Sequence, residues 1–178
     1  MITALLIIDV QELITTPALY EFEAFKRNLK KLLEAARESG TEVIYVRHDD
    51  GAGKALTRHK PGYEIYSETA PTLGELIFDK TVNSPFKESG LLKHLKKNGI
   101  ERLIVAGLQT DYCIDATVKC GFEHGFDIVV PEYANTTVDN EYMTAEQTYR
   151  YYNRFIWKKR YATCVDVDEA IYMMKRGE

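Results

Sequence analysis

The sequence contains few cysteines and no long apolar run. Its three cysteines, Cys113, Cys120 and Cys164, are odd in number and show no C-x-x-C spacing, which argues against a disulfide framework and a zinc knuckle. We interpret Cys120 and Cys164 as small buried hydrophobic residues. No apolar stretch approaches the roughly 20 residues that a membrane-spanning helix needs. The N-terminus also lacks the charged segment of a signal peptide, so we predict a cytoplasmic protein with no membrane partner.

The chain also lacks an excess of basic residues. It has 23 Lys and Arg against 27 Asp and Glu, a net charge of −4. Binding to nucleic acid or to an anionic membrane requires a concentrated basic face. The basic cluster at Lys26, Arg27, Lys30 and Lys31 lies on a predicted exposed helix face, and we interpret it as a solvated surface. We therefore predict no nucleic-acid partner.

Motifs that bind cofactors or metals are missing as well. No G-x-G-x-x-G follows a predicted strand, and residues 51–54 (GAGK) lack the frame of a phosphate-binding loop. His48, Asp49, Asp50 and His59 carry groups that bind metals, but their spacing matches no compact ligand motif. We predict a small-molecule substrate without cofactor or metal, and a divalent-cation site near His48 and His59 is the open alternative.

The sequence does contain a regular alternation of short β-rich runs and longer helical segments. With 178 residues, 45% hydrophobic and 28% charged, it fits one domain spanning residues 1–178. Strands alternating with crossovers of this length predict an α/β fold, a three-layer α/β/α arrangement with a six-stranded parallel, doubly wound (Rossmann-like) sheet. The predicted strands cover 3–8, 42–47, 75–78, 102–106, 126–130 and 162–165, and the helices 22–38, 87–98, 111–124, 144–155 and 168–175. Residues 49–74 are predicted to form a long irregular loop that serves a site.

Three reactive side chains follow predicted strands at their carboxyl ends. Asp9 closes the first strand, Lys80 follows the third, and Cys113 follows the fourth strand and Gly107, in the first turn of a helix. Ligands bind at these strand ends in doubly wound sheets, so we expect the three residues to meet. A carboxylate, an ammonium and a thiol there can act as base, electrostatic partner and nucleophile. The helix N-terminus is expected to favour the thiolate, with Thr110 and Asp111 as capping residues.

Each of these residues alone also has an ordinary structural explanation. A cysteine near a helix start is commonly a packing residue, and Asp9 is equally well explained as a residue that ties a loop. Histidine is the usual base for a thiol, and His48, at the end of the second strand, is the histidine best placed to compete with Asp9. The grouping of the three residues, and not any one of them, favours catalysis.

Tyrosine is abundant, with twelve in the chain. Amphipathic aromatic rings are enriched at subunit interfaces, so we predict a homo-oligomer, a dimer or a tetramer, with helix-on-sheet packing as the alternative explanation. The tyrosines at positions 142, 149, 151, 152, 161 and 172 crowd the C-terminal third of the chain.

Three segments together resemble the isochorismatase-like cysteine hydrolase superfamily, which includes nicotinamidases and N-carbamoylsarcosine amidohydrolase. They are residues 9–11 (DVQ), Lys80 with residues 84–86 (SPF), and residues 107–113 (GLQTDYC). The resemblance extends to residues 61–65 (PGYEI) and spans nearly the whole chain.

The resemblance implies a six-stranded parallel sheet and a role for each residue of the site. Asp9 would be the general base, Lys80 its partner and Cys113 the nucleophile. A cis peptide bond would join Leu108 to Gln109, and the N–H groups of Gln109 and Cys113 would form the oxyanion hole. The substrate pocket is predicted to be lined by Gln11, His48, Tyr63, Phe86 and Tyr112.

The implied activity is hydrolysis of a carbon–nitrogen bond other than a peptide bond, in a small amide, through a thioester acyl-enzyme. The sequence departs from the family pattern after Gln11, and it lacks the metal-binding Asp-x-His of nicotinamidases, which argues against nicotinamide as substrate. Isochorismatases commonly lack the cysteine, so Cys113 favours amide hydrolysis over vinyl-ether cleavage. Vinyl-ether hydrolysis and a non-enzymatic binding or assembly module are the alternatives. The substrate itself depends on loop 49–74 and is not identified by the sequence.

Overall fold

A single sheet of seven parallel strands forms the centre of the protein. The structure is a computed structural model that describes residues 1–176, so residues 177 and 178 of the predicted domain lie outside it. The strands run in the order β3-β2-β1-β4-β5-β7, and β6 pairs with β4 beyond this path. Their bounds are β1 Thr3–Ile8, β2 Glu42–His48, β3 Leu76–Lys80, β4 Arg102–Leu108, β5 Asp127–Pro131, β6 Asn135–Thr136 and β7 Thr163–Val165.

Helices cover both faces of the sheet because the central strands are apolar on both sides. In β1, Leu5 and Ile7 belong to the core under α1 and α5, whereas Leu6 and Ile8 belong to the core under α2 and α3. Alternate residues of a strand point to opposite faces, and a parallel sheet of this kind is buried on both. The helices are α1 Phe22–Ser39, α2 Leu91–Lys97, α3 Asp115–Glu123, α4 Ala145–Arg150 and α5 Val167–Arg176. The predicted three-layer, doubly wound α/β/α fold is confirmed.

The predicted number of strands was one short, because β6 contains only Asn135 and Thr136. A two-residue strand shows no apolar period that a sequence pattern can reveal. It pairs with Gly107 and Leu108 at the end of β4, and it therefore extends the sheet beside the helix that carries Cys113.

Several element boundaries differ from the predicted ones. Helix α2 begins at Leu91 and not at Lys87, since Glu88 and Gly90 have positive φ angles of 57° and 86° that a right-handed helix does not allow. Lys80 is the last residue of β3 and does not follow it. Gly107 lies inside β4 and is not a turn residue.

Two of the predicted helices contain π-helical turns. The segment before α3 is a π-helical turn over Thr110–Ile114, and α4 continues into another over Tyr151–Ile156. Such turns are uncommon in helices and concentrate at functional sites. The predicted loop at 49–74 contains short 3-10 turns at Pro61–Tyr63 and Ser67–Thr69.

Two further properties concern the described part of the chain. None of the helices within residues 1–176 is long and apolar enough to cross a membrane. The three cysteines are free thiols, and Cys113 is buried. Cys120 and Cys164 are half-buried, whereas we predicted that both would be buried.

Candidate active site

The side chains of Asp9, Lys80 and Cys113 meet at the carboxyl edge of the sheet. Lys80 Nζ donates to Asp9 Oδ2 over 2.7 Å and to Cys113 Sγ over 3.2 Å. Lys80 lies 71 positions after Asp9 and 33 positions before Cys113 in the chain. The parallel strands bring the three residues together. All three are buried, with 2% of Asp9, 2% of Lys80 and 8% of Cys113 exposed.

The backbone at the end of β1 turns Asp9 into this position. Asp9 adopts a left-handed conformation with a φ angle of 53°, and its N–H donates to the carbonyl of Val46 in β2 over 2.9 Å. A non-glycine residue in this region is uncommon, and short polar residues such as Asp tolerate it best. The sharp turn ends the strand and leaves the carboxylate facing Lys80.

Burial dominates the electrostatics of Asp9 and Cys113. It raises the pKa of Asp9 above its ordinary value, against the opposing effect of the Lys80 ammonium. Burial, and next the negative charge of Asp9, raise the pKa of the Cys113 thiol to about 12. The expectation that the helix N-terminus favours the thiolate was therefore wrong, because desolvation of the charged form outweighs it.

One carboxylate oxygen of the same cluster is left unpaired. Asp9 Oδ1 is buried and has no hydrogen-bond partner among the described residues, whereas its other oxygen, Oδ2, accepts from Lys80. An unpaired buried oxygen is costly and is expected to have a role. The arrangement provides a thiol, a free carboxylate oxygen and an ammonium that contacts both residues.

Lys80 has a third partner, His48, at the end of β2. Its Nζ lies 2.9 Å from His48 Nδ1, and His48 Nε2 lies 3.1 Å from Asp50 Oδ1. Within residues 1–176, Asp9, His48 and Cys113 each have one atom that can bind a metal, and these three atoms lie within 4.8 Å of one another. They are close enough to approach a single cation. The ammonium of Lys80 bonds to all three of them and supplies the positive charge there.

The segment that carries Cys113 is held by a polar network behind it. The peptide bond between Leu108 and Gln109 is cis, at the position that the family resemblance implies. Thr110 Oγ1 donates to Asn135 Oδ1 over 2.8 Å, and Asp111 Oδ1 accepts from Thr137 Oγ1 over 2.6 Å. Neither side chain caps the helix, so the predicted capping roles of Thr110 and Asp111 were wrong. Both side chains instead tie the π-helical turn to the segment around β6.

A cavity of about 200 Å³ opens onto the reactive cluster. Of the predicted lining residues, His48 and Tyr112 line it, whereas Gln11, Tyr63 and Phe86 do not. Sequence reasoning missed Ile14, Leu56 and Asn83, which lie in irregular segments where no periodic pattern marks an inward face. The lining residues are Asp9, Ile14, His48, Leu56, Asn83, Gln109, Tyr112 and Cys113.

The three residues that do not line the cavity have structural roles nearby. The buried amide of Gln11 accepts from the His48 N–H over 2.8 Å and donates to the Tyr63 carbonyl over 2.8 Å. Tyr63 lies under the Arg47 guanidinium, 4.5 Å from its ring centroid. Phe86 is buried and stacks on Phe126 in the core. Gln11 therefore ties the ends of two strands to the loop that covers the site.

Comparison with known proteins gives one consistent result. The profile of the Isochorismatase domain matches residues 3–164. Streptothricin hydrolase of Streptomyces noursei is 31% identical over 140 residues, which cover 78% of this chain and 51% of that protein. The chain thus spans about half the length of this relative.

Two solved structures share the fold over nearly the whole chain. An isochorismatase-family protein from Chromobacterium violaceum has a TM-score of 0.89 and 26% identity, covering 96% of this chain and 92% of that one. N-carbamoylsarcosine amidase from Thermoplasma acidophilum has a TM-score of 0.76 and 25% identity, covering 94% of this chain and 98% of that one.

Proposed function

The chain belongs to the isochorismatase family, and we propose that it is a cysteine hydrolase that cleaves a carbon–nitrogen bond of a small amide. The observation that carries this proposal is the contact of Cys113 Sγ with Lys80 Nζ at 3.2 Å, beside a buried Asp9 that has one unpaired oxygen. A thiol whose pKa is raised to about 12 needs a base during the attack, and Asp9 Oδ1 is free to act as one.

The reaction then proceeds in two halves. Asp9 takes the thiol proton as Cys113 Sγ bonds to the substrate carbonyl carbon, and the carbonyl oxygen gains the negative charge. The N–H groups of Gln109 and Cys113 stabilise this oxyanion. The carbon–nitrogen bond breaks with the proton passing from Asp9 to the nitrogen, leaving a thioester on Cys113. Water attacks the thioester as Asp9 accepts its proton, the carbon–sulfur bond breaks as that proton passes to sulfur, and the carboxylic acid leaves with Cys113 restored as a thiol.

Lys80 keeps its charge through both halves in this scheme. Its ammonium contacts Asp9 and Cys113 at the same time, so it stabilises whichever of the two carries the negative charge. The proton moves between sulfur, carboxylate and substrate, and the ammonium balances the charge in each state. Removal of Lys80 would leave a buried negative charge without a counter-ion.

The cavity favours a small substrate with an apolar portion. Its volume is about 200 Å³, below the usual range for sites of drug-sized ligands. Ile14, Leu56 and Tyr112 line it together with the polar side chain of Asn83. The structural likeness to N-carbamoylsarcosine amidase supports a small amide-type compound.

The exposed aromatic side chains support a homo-oligomer, which we propose for this protein in solution. Tyr142, Tyr151 and Phe155 expose 84%, 43% and 62% of their surface, and such rings are enriched at subunit interfaces. Light scattering on the purified protein tests this proposal, and a monomeric mass at micromolar concentration would contradict it. The acidic net charge of −4 supports our proposal that nucleic acid and anionic membranes are not partners. The three free thiols support our proposal of a reducing, cytoplasmic location.

The decisive experiment screens small amides for ammonia or amine release and traps the intermediate by intact-protein mass spectrometry. A rapidly quenched reaction should show the mass of one acyl group on the wild-type chain. The Cys113→Ala variant should show no adduct and no turnover, because the nucleophile is gone. Cys120→Ala provides the matched control, since Cys120 lies in α3 seven residues further on, and it should behave like the wild type.

Two outcomes would overturn the amide proposal. Turnover of a vinyl ether by both the wild type and Cys113→Ala, with no amide hydrolysed, would favour ether cleavage without a covalent step. The absence of turnover and of any adduct across both substrate classes would favour a binding module built on the same fold.

A further inference from the structure

Lys80 has one hydrogen-bond partner that the proposed mechanism does not use. Its Nζ lies 2.9 Å from Nδ1 of His48, in addition to its contacts with Asp9 and Cys113. An ammonium has three N–H donors and no acceptor, so the three contacts use all of its hydrogens. His48 Nδ1 must be the acceptor in this pair and therefore carries no proton.

The other ring nitrogen of His48 is fixed by a second carboxylate. Nε2 lies 3.1 Å from Oδ1 of Asp50, and a carboxylate accepts hydrogen bonds, so Nε2 carries the proton. The partner of one ring nitrogen sets the tautomer at the other. The contacts thus run in one direction, with Lys80 donating to His48 and His48 donating to Asp50.

The backbone holds the imidazole in place between these two groups. The His48 N–H donates to Gln11 Oε1 over 2.8 Å, and its carbonyl accepts from Gln11 Nε2 over 3.1 Å. Asp50 N–H donates to the Leu56 carbonyl over 2.8 Å. The ring is therefore anchored from the strand side and from the loop side.

We propose that His48 is a positioning residue of the proposed hydrolase, which accepts the third N–H of Lys80 and keeps the ammonium between Asp9 and Cys113. Asp50 accepts from Nε2 and anchors the ring in the same tautomer that the Lys80 contact requires. Without the imidazole, one N–H of a buried ammonium has no acceptor, and Nζ turns away from sulfur or carboxylate to find one. This inference rests on the proposed function.

The same contacts indicate which of His48 and Asp9 is the base that accepts the thiol proton. Both ring nitrogens of His48 are engaged, one with Lys80 and one with Asp50. Asp9 Oδ1, in contrast, has no hydrogen-bond partner among the described residues. His48 thus acts through Lys80 and not on the thiol directly.

The kinetic test compares two substitutions of His48 on an amide identified in the screen. His48→Ala should lower kcat about 10- to 100-fold, the loss typical when the hydrogen-bond partner that orients a metal-binding side chain is removed. His48→Asn should recover most of kcat, because its side-chain oxygen can take the place of Nδ1. His94→Ala is the matched control. His94 lies in α2 and contacts Glu42 Oε1 over 2.7 Å, so the kcat of this variant should not change. A His48→Ala variant with unchanged kcat and a raised KM would overturn the proposal.

A second measurement decides the hydrogen-bond assignment without any substrate. Nitrogen-15 NMR of the full chain at about pH 8 should show His48 with its proton on Nε2. The His48→Asn spectrum assigns the signals by their loss, and in Asp50→Ala the proton should stay on Nε2, because Lys80 still donates to Nδ1. A proton on Nδ1 in the wild type would overturn the proposal. If this tautomer is found but no amide is hydrolysed, the proposed function fails and the hydrogen-bond assignment stands.

Discussion

The ammonium of Lys80 and the carboxylate of Asp9 form a salt bridge of 2.7 Å in which the two side chains are only 0% and 3% exposed. Burying two charges is costly, and their attraction offsets the cost only while both are present. Removing one partner leaves the other as an uncompensated charge among buried side chains. Substituting either residue of the pair should therefore lower the stability of the protein by a large and measurable amount.

Lys80→Met should destabilise the protein strongly and abolish turnover. We expect a loss of about 3–5 kcal/mol in the free energy of unfolding, the range for breaking a buried ion pair. Asp9 should take up a proton in response, because the charge of Lys80 is the largest influence that lowers its pKa. Urea denaturation followed by circular dichroism measures the loss.

Lys30→Met is the matched control for that substitution. Lys30 Nζ lies 2.6 Å from Glu68 Oε2, but both side chains are more than 40% exposed. Exposed pairs of this kind contribute about 0–1 kcal/mol. Equal losses for the two variants would contradict the argument that burial makes the Lys80 pair different.

Asp9→Asn should lower the pKa of the Cys113 thiol while it abolishes catalysis. The negative charge of Asp9 is the second cause, after burial, that raises this pKa to about 12. An amide of the same size removes that charge and leaves the Lys80 ammonium beside the sulfur. The pH profile of iodoacetamide labelling at Cys113, read by peptide mass spectrometry, should therefore shift to lower pH.

Cys164 serves as an internal control in the same labelling experiment. Its pKa is raised to about 11, first by burial, with smaller influences from Lys158 and Glu132. Since Asp9 is not among these influences, the labelling profile of Cys164 should be the same in the wild type and in Asp9→Asn. A Cys113 profile that stays in place, or shifts to higher pH, would mean that Asp9 carries no charge in the resting protein.

The position of the reactive cluster could be predicted from the sequence because topology determines it. Asp9, Lys80 and Cys113 each follow or end an apolar run, and parallel strands present such residues at one edge of the sheet. That reasoning requires only the order and direction of the strands. It does not require the exact boundary of any strand. The predicted position of the cluster was therefore unaffected when Lys80 was placed after β3 instead of within it.

The cavity could not be predicted in the same way, because its walls belong to irregular segments. Ile14 and Leu56 reach the site through loops whose course depends on tertiary hydrogen bonds, such as those of the buried Gln11 amide. The π-helical turn and the bond between Lys80 and His48 also have no sequence pattern. The raised pKa of Cys113 was missed for a related reason, because burial is a property of the packed structure.

The stability of the wild type should depend on pH through Cys113. The thiol has an ordinary pKa of 9.0 when unfolded, and folding raises it to about 12. A raised pKa means that the folded state holds the proton more tightly. The contribution is fully present below pH 9 and is lost as the pH rises toward 12, by about 1.4 kcal/mol per pH unit.

Cys113→Ala removes this titration and so isolates it from the tyrosines and lysines. We expect the difference in the free energy of unfolding between the wild type and Cys113→Ala to fall between about pH 9 and pH 11, with reductant present. Urea titrations at several pH values measure it. A difference that does not vary with pH would show that the folded thiol titrates like a free one.

Gly107→Ala should be strongly damaging, because the backbone of Ile8 in β1 packs directly against Gly107 in β4. Its φ angle is 130°, and a Cβ built there would lie 2.0 Å from the backbone oxygen of Ile8. The two residues are paired in the sheet, so the clash can be relieved only by moving one strand. Because Asp9 directly follows Ile8, that movement would also displace the base from Cys113. We expect a loss above about 4 kcal/mol in the free energy of unfolding and the loss of turnover in any folded fraction.

Gly125→Ala separates the clash from the cost of the backbone conformation. Gly125 also has a positive φ angle, 83°, but a Cβ there would have nothing within 4 Å. Its expected cost is about 1–2 kcal/mol, that of holding an L-residue in the left-handed region, with turnover unchanged. Thermal and urea unfolding of both variants, followed by activity at a temperature where each is folded, make the comparison. If Gly107→Ala loses no more stability than Gly125→Ala and keeps its turnover, the close approach of β1 and β4 does not set the geometry of the site.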